Sequence, residues 1–180
     1  MNRETVTKLR GFTLLELLLA LAIIAILVSS ATPALTHLYR SVQADMARHR
    51  LNALLNFSRY TALAHRKTVA LCPASDDLAC GEDWTNGIVV FVDTDEDGER
   101  DDDEEVLRVS PTFESRSKLT WRAFRGKPYL QFTSSGVTRT QNGRFSYCPP
   151  SGENSYRRQL IVHKTGRVRY ASAKELTGEC

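Results

Sequence analysis

The sequence predicts an α+β protein in which one long N-terminal helix packs on an antiparallel β head. Three observations predict it. An apolar run, Phe12–Val28, opens the chain; residues 36–67 contain no glycine or proline; and everything beyond Lys67 breaks into short β-type runs separated by turn residues. With 180 residues, 42% hydrophobic and 25% charged, the chain suits one ordinary domain and is neither disordered nor low in complexity. The net charge of +3 conceals an asymmetry: residues 67–105 hold 14 acidic and 2 basic side chains, residues 106–180 hold 14 basic and 4 acidic.

Met1–Gly11 is polar, with Arg3, Lys8 and Arg10 against Glu4. The 17 residues Phe12–Val28 reach the lower limit for a membrane-crossing helix. A secretory signal peptide shares that layout, and Ser29-Ser30-Ala31 offers a cleavage site. Glu16 argues against it, because a charge inside an apolar run costs about 2.5–3.5 kcal/mol on insertion.

At Gly11-Phe12-Thr13-Leu14-Leu15-Glu16 the chain resembles the type IV pilin superfamily. The resemblance implies cleavage after Gly11 by prepilin peptidase, N-methylation of Phe12, and an apolar helix retained in the inner membrane and later in a filament core. Glu16 would neutralise the Phe12 amine once water is excluded. The expected organisation is a leader at 1–11, a membrane-spanning or filament-core helix at 12–35, an amphipathic half at 36–67 and a β head at 68–180.

Pro33 is expected to kink or loosen the helix. Beyond it, Leu51, Leu54, Leu55, Tyr60, Ala62 and Leu63 recur at helical spacing among Arg48, Arg50, Arg59 and Arg66, which predicts one face laid on a sheet. His37, His49 and His65 lack ligand spacing. Strands are expected at Thr68–Leu71, Gly87–Val92, Glu105–Val109, Leu119–Phe124, Tyr129–Phe132, Arg144–Cys148, Gln159–His163 and Arg167–Ala171.

Four cysteines suit an oxidising compartment. Of three possible pairings the favoured one is Cys72–Cys80 with Cys148–Cys180, the second tying down the tail. Zinc is the competing reading, and no CxxC spacing supports it. The segment Cys80–Asp93, with Trp84, Gly87 and a strand ending in Phe91-Val92-Asp93, is similar to the GspH/FimT family of minor pilins and pseudopilins; Ile88 stands where most members carry a second tryptophan.

The acidic run fits the calcium-loop template D-x-[DN]-x-[DN]-G-x5-E at Asp93, Asp95, Asp97, Gly98 and Glu104, with Glu99 as a further candidate ligand. The favoured reading is nevertheless a solvated β-hairpin tip turning at Asp97-Gly98, which leaves the chain without a cofactor, with weak calcium binding as the alternative. Ser134, Ser135 and His163 sit in no nucleophile motif, so no enzyme is expected.

Arg157, Arg158, Lys164, Arg167, Arg169 and Lys174 crowd the C-terminal region. As strand residues two apart, Arg167 and Arg169 would share a face and clamp phosphate oxygens; Gly166 permits a close approach, and Tyr156 and Tyr170 are candidate stacking residues, though tyrosines in a strand more often pack in the core. Gly166-Arg167-Val168-Arg169 also matches the GRxR motif of FimT-type minor pilins, which bind DNA during natural transformation. That resemblance implies DNA contacts at Arg167 and Arg169, with Lys164 and Lys174 assisting. Three functions stay open: a DNA-receptor minor pilin, a pilus-tip assembly pilin, and a minor pseudopilin of a type II secretion system. Each implies a single-pass inner-membrane protein with a periplasmic head, other pilins as partners, and surface exposure once assembled in a pilus.

Overall fold

The computed structural model describes residues 11–180, so most of the expected leader lies outside the described residues. Helix α1 spans Leu14–His65 and is followed by eight strands: β1 Val69–Pro73, β2 Ile88–Val92, β3 Val106–Ser110, β4 Lys118–Ala123, β5 Leu130–Phe132, β6 Gly143–Cys148, β7 Arg158–Val162 and β8 Val168–Tyr170. All eight expected strands are present, with ends displaced by a residue or two.

The chain forms two compact units, one ending at Tyr39 and one covering Arg40–Cys180. In the first, residues 11–39 are exposed throughout, and α1 carries an apolar stretch long enough to cross a membrane. The helix continues through Pro33, which withholds a donor from the Ser29 carbonyl. Nearby hydroxyls turn back onto the backbone, Thr32 Oγ1 to Val28 O at 2.7 Å and Thr36 Oγ1 to Thr32 O at 3.0 Å.

In the second unit Ala44, Leu51, Leu54, Leu55, Ser58 and Ala62 are the buried residues of α1. At about 100° per residue these positions fall within one stripe. Tyr60 and Leu63, expected in that stripe, are 63% and 39% exposed. The same arithmetic explains the difference, since Tyr60 lies about 180° and Leu63 about 120° from Leu51. The helix arginines turn towards the strands. Arg50 donates to Ser110 Oγ at 3.1 Å and to the Pro111 carbonyl; from the strand side, Arg108 of β3 stacks on the helix residue Phe57 with 3.8 Å between guanidinium and ring centre.

Two four-stranded antiparallel sheets complete the head, in the orders β3-β2-β1-β5 and β4-β6-β7-β8. Val69 and Leu71 of β1, Phe145 and Tyr147 of β6 and Leu160 of β7 join the helix stripe in one core. Alternation sends Ala70, Cys72, Val89 and Phe91 to the opposite face of the first sheet, where they form a second cluster. β1 and β2 are therefore buried on both faces, which accounts for their unbroken apolar sequences. Gly87 makes the tight entry to β2: its φ is +123°, and a Cβ there would lie 2.7 Å from Ser110 O. The cysteines pair as Cys72–Cys80 and Cys148–Cys180.

Candidate functional site

Gly11–Thr13 precede α1 as non-helical backbone. Thr13 caps the helix, its Oγ1 accepting from Glu16 N–H at 3.2 Å and its carbonyl from Leu17 N–H at 3.2 Å. Thr13-Leu14-Leu15-Glu16 thus has the spacing of a capping box, and Glu16 sits at the positive end of the helix dipole. Besides its expected part as a charge awaiting a partner, Glu16 therefore has a local place at the helix start.

The basic C-terminal region is a hairpin of β7 and β8. Its turn closes with Gly166 N–H donating to His163 O at 2.8 Å and His163 N–H to Arg167 O at 2.9 Å. Gly166 has a φ of +74°; a Cβ there would overlap the Gly136 carbonyl and lie 2.9 Å from Arg59 Nε. Arg59 donates to Gly136 O at 2.8 Å and to Thr165 O at 3.4 Å, and Thr138 N–H donates to Lys164 O at 3.1 Å. The glycine of the GRVR tetrapeptide therefore lets the turn settle against helix and loop, lifting Lys164 and Arg167 onto an exposed edge.

The two arginines expected to act together differ in state. Arg167 precedes β8, is exposed, and makes no ion pair among the described residues; the same holds for Lys164 and Lys174. Arg169 is engaged by Glu175 through two parallel hydrogen bonds of 2.8 and 2.6 Å. A capping box, Ser172 to Glu175, folds the tail back and sets this pair. Arg169 holds the Glu175 carboxyl well below the usual carboxylate range, and the Ser172 amide and hydroxyl add to the effect.

The other expected contacts are structural. Tyr156 is 4% exposed and lies in the core, so it is no stacking surface. Tyr170 turns to the helix, its hydroxyl 2.9 Å from His49 Nδ1 and its ring under the Arg48 guanidinium at 4.4 Å. Strand register explains that direction, because Leu160, opposite Tyr170, points into the core. Arg158 pairs with Asp45 at 2.9 Å, and Arg157 is buried and donates to the Gly178 carbonyl.

Register also reveals cations that sequence spacing conceals. Arg122 faces Arg144, Arg144 faces Ile161, and Ile161 faces Arg169, a row across the outer face of the second sheet. The tail lies over this row. Arg144 donates to Glu175 O at 3.1 Å and to Thr177 Oγ1, and Gln159 Nε2 donates to Thr177 O at 2.8 Å. Beside the hairpin turn an open groove of about 450 Å³ places Lys164 with Arg125, Arg139 and Phe124, a residue 61% exposed. Only Lys164 of these was legible as a site residue.

The acidic run forms the loop between β2 and β3. Asp93 is 1% exposed, and Gln131 Nε2 donates to its Oδ2 at 2.6 Å. Gln131 in turn accepts from Gln141 Nε2 at 3.1 Å. Burial pushes the Asp93 carboxyl above its ordinary range, against the pull of Gln131 and of the Gly98 and Glu96 amides. Glu104 is buried too, and its carboxylate accepts from Thr94 N–H at 2.6 Å and Asp101 N–H at 3.2 Å. Asp95, Asp97 and Glu99 are exposed; Asp97 Oδ1 accepts from Glu99 N–H at 2.7 Å. The simple hairpin tip is thus a folded loop with a buried anchor at either end.

Residues 47–166 match the family described as Type II transport protein GspH, and residues 7–32 match the prokaryotic N-terminal methylation motif. No curated protein matches the chain. Among solved structures it is similar to the type IV minor pilin FimU of Pseudomonas aeruginosa, with a TM-score of 0.61 and 21% identity over 76% of this chain and 93% of that one. A second crystal form of FimU gives 0.57 and 23%, over 76% and 98% of the two chains. The minor pseudopilin EpsH of the Vibrio cholerae Type 2 Secretion System gives 0.52 and 15%, over 72% and 97%. With the family match covering more than half of its length and a minor-pilin fold beneath it, this chain belongs to the GspH family, a structural protein and not an enzyme.

Proposed function

We propose that the chain is a minor type IV pilin that enters pilus filaments and binds DNA non-specifically through its C-terminal hairpin during uptake for natural transformation. In this reading prepilin peptidase removes the leader after Gly11 and Phe12 is N-methylated. The apolar helix then holds the subunit in the inner membrane, head in the periplasm, until it joins other pilins. The observation that carries the DNA reading is the turn at Gly166, which presents Lys164 and Arg167 on one exposed edge, without an ion pair among the described residues. Lys174, exposed in the same state, extends the positive surface. Arg169 serves first to hold the tail, and phosphate competes with Glu175 for its guanidinium.

The Arg169–Glu175 pair favours a second reading, in which the basic face docks on another subunit and the chain is a tip-assembly pilin or a type II secretion pseudopilin. DNA titration of the full chain in neutral detergent, at two salt concentrations, separates the two. Under the DNA reading Arg167→Gln weakens binding and lowers the log–log salt slope by about 0.9, the value for one lost phosphate contact. Absence of binding at low salt, or an unchanged slope, moves the assignment to subunit docking.

A further inference from the structure

The geometry points to a calcium site in the β2–β3 loop, formed by the carboxylates of Asp93, Asp95 and Asp97. One carboxylate oxygen from each of Asp93, Asp95 and Asp97 lies within 4.8 Å of the other two. Convergence of exposed acids is common on protein surfaces and would carry nothing alone. The deciding atom is Asp93 Oδ1. Asp93 is 1% exposed, its Oδ2 is taken by Gln131, and Oδ1 is buried with no closed hydrogen bond, the Gly98 and Glu96 amides lying near the carboxyl. A carboxylate oxygen removed from water and left unpaired is costly, and a cation beside it offsets that cost.

The surrounding frame is built to hold that oxygen in place. Asp93 N–H donates to Thr68 O at 3.0 Å, and Gln131 ties both Asp93 Oδ2 and Glu96 O, the latter at 3.0 Å. Gly98 turns the loop at a φ of +85°. Glu104 pins the far end of the loop, its buried carboxylate accepting from the Thr94 and Asp101 amides. The converging donors are all carboxylate oxygens, on a partly exposed loop. That set suits calcium, which takes six to eight oxygens in adaptable geometry, over zinc, which favours nitrogen and sulfur, or magnesium, which demands a near-octahedral shell. An affinity on the order of 10⁻⁴–10⁻³ M is expected, as for extracellular calcium modules.

Calorimetric titration of the full chain in detergent with Ca²⁺ and with Mg²⁺ tests the site. Three proteins are compared: the parent, Asp95→Asn/Asp97→Asn, and Asp102→Asn/Asp103→Asn, which removes equal charge from the same loop outside the ligand set. Saturable Ca²⁺ binding that falls about tenfold or more in the first variant and persists in the second supports the site. No saturable Ca²⁺ heat in the parent, equal loss in both variants, or equal binding of Mg²⁺ overturns it. Both substitution pairs fall on exposed side chains, and thermal unfolding of each metal-free protein verifies that the fold is retained.

Discussion

Arg169 and Glu175 face each other in a bidentate pair, with Nη1 2.8 Å from Oε2 and Nη2 2.6 Å from Oε1. The pair joins strand β8 to the turn that follows it, so one surface carboxylate is among the groups that hold the tail on the second sheet, beside Arg144, Gln159 and the Cys148–Cys180 bridge.

That carboxylate yields a pH prediction. The folded-state pKa of Glu175 is depressed, so the pair is intact above the unfolded value of about 4.3 and is lost only as pH falls through the much lower folded value. Carboxyl carbon resonances should show Glu175 still ionised at about pH 3.5, roughly 0.8 units below the unfolded pKa. Glu175→Gln should raise amide exchange in the tail and, if the hairpin binds DNA, tighten binding at low salt by freeing Arg169.

Core geometry sets a second contrast. Leu55 is fully buried and Tyr60 is 63% exposed, although both lie in the same apolar-looking stretch. Leu55→Ala should cost about 2–5 kcal/mol in urea unfolding. Tyr60→Ala should stay within about 0.5 kcal/mol of the parent.

Two glycines with similar backbone angles should respond differently. Gly152 has a φ of +68° with nothing within 4 Å of where a methyl group would sit, whereas at Gly166 the methyl meets backbone and Arg59. Gly152→Ala should cost about 1–2 kcal/mol, the ordinary penalty of a left-handed residue. Gly166→Ala should exceed that and shift the amide resonances of Lys164 and Arg167, which a nitrogen–proton correlation spectrum reads directly.

Glu16 has a place at the helix cap and a proposed charge role, and substitution separates them. Thr13→Ala removes the cap oxygen, costs the helix start about 1 kcal/mol, and should leave filament incorporation intact. Glu16→Gln keeps the size and removes the charge. It should reduce incorporation into filaments, scored by immunoblot of sheared pili, while leader cleavage proceeds.

Periodicity carried most of the fold into view. The glycine-free stretch after Thr36 and the alternating runs after Lys67 mark α1 and all eight strands. Side-chain direction was legible only where the helical angle was followed strictly, which is why Tyr60 and Leu63 were misplaced. At the candidate site, Arg167 and Lys164 could be read from a turn glycine and neighbouring charge. The pairing of Arg169 with Glu175 and the commitment of Tyr170 to Arg48 and His49 could not, because each depends on how distant segments come together. The alignment of Arg122 with Arg144 is hidden for the same reason, being a property of cross-strand register.

Arg59 couples the parts of the head mechanically. Its guanidinium grips the Gly136 carbonyl, just past the first sheet, and the Thr165 carbonyl, in a hairpin of the second. One helix side chain thus pins two loops, one leaving a strand of each sheet. The turn that bears Arg167 is thereby tethered to the helix directly, by a hydrogen bond of its own at Thr165, and not only through the strands that carry it.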